Sequence, residues 1–531
     1  MDTANLDVRR FERIDINPFL VRQICVLRRE GLVEEILMRY LSILPTIVAA
    51  AVSSFTMMSA RQANAQWEFV YGQASTVESG GRGVQALQTC ANAGFVSVGS
   101  TSVDIDVHVV RTDAFGTPVF ERRYDIGGED TYDYGQSIVE LRDGSGFVIT
   151  GYTTFGADRR NVFLLKIDCD GDFVWASVFG DDLNEVGFDV VEATSGNPLA
   201  GTAQGDLIVA GLHDNPNNRP DGLILRADRE GNLIWAQRYD LNDGQEIFWG
   251  LLQSEFSATG GPTGDIVAVG RHRSTAGGQD AFVVRVDGDN GLFLAVPHCA
   301  ATYGDSGLEE FNAVVELDVP ILNGMLAYAG STQASTGSPK DIYVAQSEVS
   351  PCLPIQQRRL GNPGGDPFGD EFATDIIELR NQLPFAPRGS LLITGGAGRA
   401  GTQAFDAFLL AVQPTLLLEI AGSGRLYGDH ADGYEVGLSL NEVGRTAFSG
   451  GVVIAGTSRS DFEGIGDPSD SYLLRTNFNG ATGCEIPFAP QQFAAPFPVE
   501  MQTVNPVMVL QSEPVDDVLI NEEGTAFSVC P

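Results

Sequence analysis

The chain has 531 residues, with 33 Lys and Arg against 70 Asp and Glu, for a net charge of −37. That balance excludes a general nucleic-acid binder, which needs a basic footprint over phosphates, and a polybasic grip on an anionic membrane. Hydrophobic residues make up 43% of the chain, too many for global disorder, and 62 glycines point to many tight turns.

Residues 41–58 form an apolar stretch without a charge, followed by Ala63-Asn64-Ala65, a small-residue cleavage pattern. Residues 38–65 therefore read as a secretory signal peptide cut before Gln66. Pro45 and several hydroxyl side chains weaken the alternative, a retained spanning helix. Met38-Arg39-Tyr40 has the look of a natural start, so 1–37 reads as an upstream extension of the reading frame, or as a long leading region. The chain is expected outside the cytoplasm (periplasm, cell surface or extracellular space), without stable membrane insertion after cleavage. Six cysteines follow residue 65, namely Cys90, Cys169, Cys299, Cys352, Cys484 and Cys530. This even count suits disulfides in an oxidising compartment.

From 66 to 484 the sequence repeats itself. A short apolar run ending in glycine recurs, as VSVGST (96–101), VITGYT (148–153), IVAGLH (208–213) and VIAGTS (453–458). The anchor glycines are Gly99, Gly151, Gly211, Gly270, Gly330, Gly395 and Gly456. A second run follows each, usually opening with Asp, as in DAFVVRVD (280–287). A turn then carries Gly three residues after an Asp, at Asp113/Gly116, Asp168/Gly171 and Asp228/Gly231. Next come a run ending in an aromatic residue, an acidic linker, and a further apolar run such as SIVEL (137–141). Four short strands per unit at a fixed period, with no long helical pattern, predict an all-β, seven-bladed β-propeller of four-stranded antiparallel blades. Trp67–Gly72 resembles a last strand without the three that should precede it. It is predicted to pair into the seventh blade and close the wheel, which removes open sheet edges. Residues 485–531 read as a short Pro-rich tail with one or two strands, packed on the propeller or forming a small module, with Cys484–Cys530 as a tether.

Units of this form (anchor glycine, then D-x-h-L-L-K-h-D-x-x-G-x-x-x-W, where h is apolar) resemble secreted bacterial β-propeller repeat proteins over about residues 67–484. They are distantly similar to kelch and quinoprotein blades. The quinoprotein likeness rests on Asp168, Gly171 and Trp175 and on Asp228, Gly231 and Trp235. Other units lose the tryptophan, so packing between blades is the expected role of Trp175 and Trp235.

In an antiparallel unit, the four-to-one linkers and the two-to-three loops emerge at one end, and the other two turns at the opposite end. The linkers are acidic in six units, including Asp125/Glu129/Asp130/Asp133, Asp181/Asp182/Glu185, Asp240/Asp243/Glu246 and Asp305/Glu309/Glu310. A rim of carboxylates would attract cations or a basic partner. No cofactor is expected unless it is Ca2+, for which Asp181, Asp182, Glu185, Asp305 and Glu309 are candidate ligands. The alternative is that these acids make turns and keep an exported protein soluble. Two residues past the anchors come Thr101, Thr153, His213, His272 and Thr332, expected on the same face as candidate ligand contacts. His213 and His272, in neighbouring units at one register, would hold a metal if they met.

Three local patterns carry no chemistry. Gly304–Gly307 (GDSG) matches the start of a serine-protease signature, but Leu308-Glu309 follow it and the segment is a linker. Asp168–Asp172 lacks the late bidentate Glu of a calcium loop. Gly395–Gly401 has neither the Lys-Ser/Thr of a phosphate loop nor a following helix. The sequence thus reads as a non-catalytic binding or scaffold module, monomeric, with a protein or glycan ligand. The alternative is an exported propeller enzyme acting on glycans or with a quinone.

Overall fold

The computed structural model describes residues 66–528 except for short stretches, the longest being 73–77, 349–353, 362–367, 445–449 and 459–469. The expected signal peptide, upstream extension and Cys484–Cys530 tether lie outside the described residues. So do linker residues Glu129, Asp130, Asp366, Asp429 and Asp432. Residues 63–531 form one compact unit.

The described residues contain strands and turns, without a helix. The strands are short, rich in Val, Ile, Leu and Phe, and almost entirely buried, as in Asn161–Ile167 and Leu326–Gln333. They group in antiparallel sets of four, in chain order. Asp133–Glu140, Phe147–Thr153, Asn161–Ile167 and Phe173–Gly180 make one such set. The same order holds in 78–126, 185–239, 245–303, 308–361 and 368–427. The sets 245–303 and 308–361 belong to one sheet, joined by a parallel contact between Gln279 and Leu308. Residues 435–475 supply only three strands. Trp67–Gly72 is their fourth, antiparallel to Asp470–Arg475, with Val70 opposite Tyr472.

Two glycine positions explain the repeat. Every first strand carries a register shift, as at Gly187/Asp189 and Phe248/Gly250. The shift pushes its backbone at the anchor glycine. A Cβ on Gly270 would lie 1.7 Å from the Ile247 carbonyl oxygen, and one on Gly456 1.8 Å from that of Val436. The hairpin glycines Gly116, Gly171 and Gly231 have φ of +82°, +85° and +84°, which a side chain disfavours. Each also receives an aromatic ring of the preceding set: Phe120 rests on Gly171, Trp175 on Gly231 and Trp235 on Gly291. The tryptophans therefore pack between sets.

The apolar core is divided in the same way. One cluster joins 78–126 to 133–180 through Val98, Val109, Ile149 and Leu165. Others join each later set to its successor. A further cluster (Trp67, Tyr71, Val84, Phe95, Val453 and Leu473) joins the last set to the first. Fully burying each of these aliphatic or aromatic side chains contributes roughly 1.5–3 kcal/mol, so no set is stable alone. A tyrosine staple repeats across the boundaries: Tyr124 Oη donates to the Gly171 carbonyl at 2.7 Å, Tyr239 to Gly291 at 2.8 Å and Tyr427 to Gly480 at 2.7 Å. Tyr71, from the N-terminal strand, donates to Gly116 of the first set at 2.7 Å. Cys90 and Cys169 form a disulfide between the first two sets, and Cys299 is also disulfide-bonded.

The C-terminal residues depart from the expected one or two strands. Ile486–Pro487 pairs with Arg425–Tyr427, Gln491–Ala494 with Pro354–Gly361, and Val499–Gln502 with Cys299–Tyr303. Val507–Met508 then pairs with Leu233–Tyr239, Gln511–Val515 with Phe173–Gly180, and Val518–Glu522 with Pro118–Ile126. Finally Thr525–Ser528 pairs with Trp67–Gly72. Each set thus gains a fifth strand on its outer edge, and the tail visits the sets in reverse chain order. Val507–Met508 and Val518–Glu522 lie in the two apolar runs that read as strands; the other segments are too short to show a strand pattern. Backbone hydrogen bonds to a waiting edge define them.

Candidate functional site

The last acid of each linker opens the next first strand, and the register sets it opposite the residue two past the anchor glycine. Asp133 faces Thr153, Glu185 faces His213, Glu246 faces His272, Glu309 faces Thr332 and Glu435 faces Ser458. These acids are fully buried rather than displayed on a rim. Thr332 Oγ1 donates to Glu309 at 2.9 Å, Ser458 Oγ to Glu435 at 2.9 Å, and His272 Nδ1 lies 2.6 Å from Glu246 Oε1. Burial pushes the Asp133 and Glu309 carboxyls up to about 7. The expected rim of exposed carboxylates is therefore mostly an internal seam between sets, because strand pairing turns its strongest acids inward.

The candidate ligand contacts share this fate. Thr101, Thr153, His213 and Thr332 are 0–2% exposed and His272 is 7% exposed, so none lies open on a face. His213 and His272 belong to different seams and bind different acids, Glu185 with Asp181 and Glu246 respectively. Asp181, Asp182 and Asp305 are exposed, whereas Glu185 and Glu309 are buried. Ser306 of the GDSG segment lies in a turn, where Asp305 Oδ1 accepts the Gly307 amide. Asp168 Oδ1 accepts the amides of Asp170 and Asp172, a turn rather than a cation loop.

Three seams bring ligand-type atoms within 4.8 Å of one another: Asp106/Asp125/Asp133, Asp181/Glu185/His213 and Asp221/Asp240/Glu246. Their counter-charges differ. Arg238 sits 3.1 Å from Asp221, Arg359 2.9 Å from Asp341, and Arg123 3.8 Å from Asp106. Each arginine lies in a fourth strand, and at the same register the second set has Val178. Its seam carries His213, at the register that His272 holds in the next, with Nε2 3.1 Å from Asp181 Oδ2 and 3.4 Å from Glu185 Oε1. Burial, then the neighbouring Asp181, pushes Glu185 up to about 9.

The opposite end of the sheets, formed by the one-to-two and three-to-four turns, has a different character. Leu199 is 99% exposed and Ile321 84%, both in one-to-two turns. Phe115, Leu294 and Leu416, in three-to-four turns, are exposed as well, as are Val119, Val174 and Ile355 at the starts of fourth strands. Two clefts open at this end. One is lined by Asp318, Pro320, Glu378, Arg380 and Arg388. The other is lined by Asp143, Lys166, Trp175, Glu192 and Arg229. Sequence reasoning missed this end because single apolar residues in turns carry no periodic signal.

It also missed the acids at the register shifts. Asp375 is half-buried, takes the Ile376 and Leu440 amides and the Ser439 hydroxyl, and is raised to about 7 by desolvation. Asp189 likewise takes Ser137 and Leu251 of the two flanking sets. Both tie neighbouring first strands together. No helix among the described residues is long and apolar enough to cross a membrane. No protein-family model matches the chain, and no curated protein matches it.

Proposed function

We propose that the chain is an exported, non-catalytic seven-bladed β-propeller that works as a binding or scaffold module outside the cytoplasm. The apolar cluster and the Tyr71–Gly116 hydrogen bond between the last and first sets support a closed wheel sealed by Trp67–Gly72. The Cys90–Cys169 disulfide supports an oxidising location.

The observation that carries the binding role is the concentration of exposed large apolar side chains at one end of the sheets. Isolated exposed apolar residues are ordinary, but eight of the ten exposed large apolar side chains among the described residues lie at this end beside charged clefts, with Tyr132 at the linker end and Ile486 in an outer strand, and such a concentration marks a contact surface. This replaces the acidic linker face as the expected meeting place, since the strongest linker acids are buried. The surface suits a protein partner better than a glycan, because it offers aliphatic groups rather than a polar, aromatic-lined groove. The test is binding of the purified chain to envelope fractions of the producing cells. Leu199→Asp with Ile321→Asp is expected to lower bound protein at least tenfold, and Asp182→Asn to leave it unchanged. Equal loss in both variants, or no loss in the first, would refute the assignment of the face.

A further inference from the structure

The seam between the second and third sets differs from its sisters in a way that the fold does not require. Its donor atoms are Asp181 Oδ2, Glu185 Oε1 and His213 Nε2, all within 4.8 Å of one another. The imidazole proton can satisfy only one carboxylate. Asp181 takes it at 3.1 Å, and Glu185 Oε1, fully buried, has no hydrogen-bond donor. A second acceptor is stranded beside it. Asn161 is 7% exposed; its amide nitrogen donates to the Phe155 carbonyl at 3.0 Å, while its Oδ1 is buried without a partner. A Cβ on Gly180 would lie 1.9 Å from that Oδ1 and 2.9 Å from Glu185 Oε2. The amide oxygen and the carboxylate therefore converge on the space that Gly180 leaves free. In other sets Arg123, Arg238 and Arg359 pair with Asp106, Asp221 and Asp341; in the second set Asn161 stands at the aspartate's register and Val178 at the arginine's, so the Asn161 amide oxygen has no such donor.

We propose that this seam binds one first-row divalent cation, zinc or manganese, through Asp181, Glu185 and His213, with Asn161 Oδ1 as a fourth donor. Bonds of about 2.0–2.2 Å to one ion hold ligand atoms roughly 3–3.5 Å apart, and the Nε2–oxygen separations of 3.1 and 3.4 Å already match. A mixed set of one imidazole with oxygen donors selects first-row ions over calcium, which prefers oxygen alone. Asp181, whose side chain is 38% exposed, gives the ion its way in from solvent. Bound there, the ion spans the third strand and following linker of one set and the first two strands of the next.

The test is calorimetric titration of the chelator-treated chain with zinc sulfate, manganese chloride and calcium chloride, together with pulsed electron spin resonance of the manganese form. We expect a single saturable zinc or manganese site and nitrogen coupling from His213. Calcium is expected to bind at least tenfold more weakly. Asp181→Asn lies at the surface and leaves the core intact, and it should weaken the ion at least tenfold. Asp182→Asn should change nothing, and His213→Gln should remove the nitrogen coupling. No saturable zinc or manganese binding, tighter binding of calcium, or equal binding by Asp181→Asn would overturn the proposal.

Discussion

The two ends of the sheets spend their polarity in opposite ways. At the linker end, charged residues abound in the sequence, yet those that open the first strands are buried against Thr, Ser or His. At the other end, apolar side chains as large as Leu199 and Ile321 stand in solvent. Charge at the linker end holds the units to one another, whereas greasy groups at the turn end hold nothing inside the molecule. An acidic repeat is therefore not a binding surface merely because it is acidic. The decisive question is whether strand register turns its acids in or out.

Three measurements would break or sharpen that contrast. The largest effect is expected from Glu246→Ala, which leaves His272 buried without its carboxylate. Loss of a buried hydrogen bond of this kind should cost about 2 kcal/mol, read as a lower denaturant midpoint with an unchanged slope. A midpoint shift below the error of the measurement would mean that the seam acids contribute no cohesion. Next is pH. Asp133, Asp221 and Glu309 are raised to about 7, chiefly by burial, whereas unfolded carboxyls ionise near about 4. The folded chain thus holds more protons than the unfolded chain between those values, and stability must fall as pH climbs through that window. In chelator, the melting temperature should be higher at pH 5 than at pH 8, and Asp133→Asn with Glu309→Gln should flatten the trend. A melting temperature that rises across the window would contradict the burial of these acids. Smallest is Leu199→Ser at the turn end, which should move stability by no more than about 0.5 kcal/mol. A larger loss would show that this side chain packs inside the molecule.

Much of the framework was legible. The anchor glycines and hairpin glycines mark backbone positions that admit nothing larger, and seven anchors at intervals of 52 to 65 residues announce one unit reused. The placement of Trp67–Gly72 beside Tyr472 followed from a fourth-strand motif with no strands before it. The site was far less legible. His213 and Glu185 lie 28 residues apart in the chain, and only the antiparallel register sets them face to face. A constant offset between linker acid and anchor was the available signal, since each unit repeats it with Thr, His or Ser as the partner. Val178, in place of an arginine, becomes informative only once its sister positions are known to neutralise an aspartate. The outer strands were the hardest to see. Segments such as Ile486–Pro487 and Gln491–Ala494 have no side-chain pattern to detect, because the edge that accepts them supplies the order.

The reversed path of those outer strands has a consequence for biogenesis. Synthesis delivers residues 486–528 after every edge they cover, and the final strand lies against the opening one, Trp67–Gly72. A nascent or clipped molecule would therefore expose the bare outer edge of every sheet, a template for clumping and a mark that quality-control proteases can read. Completion of the last few residues would act as the signature of an intact product.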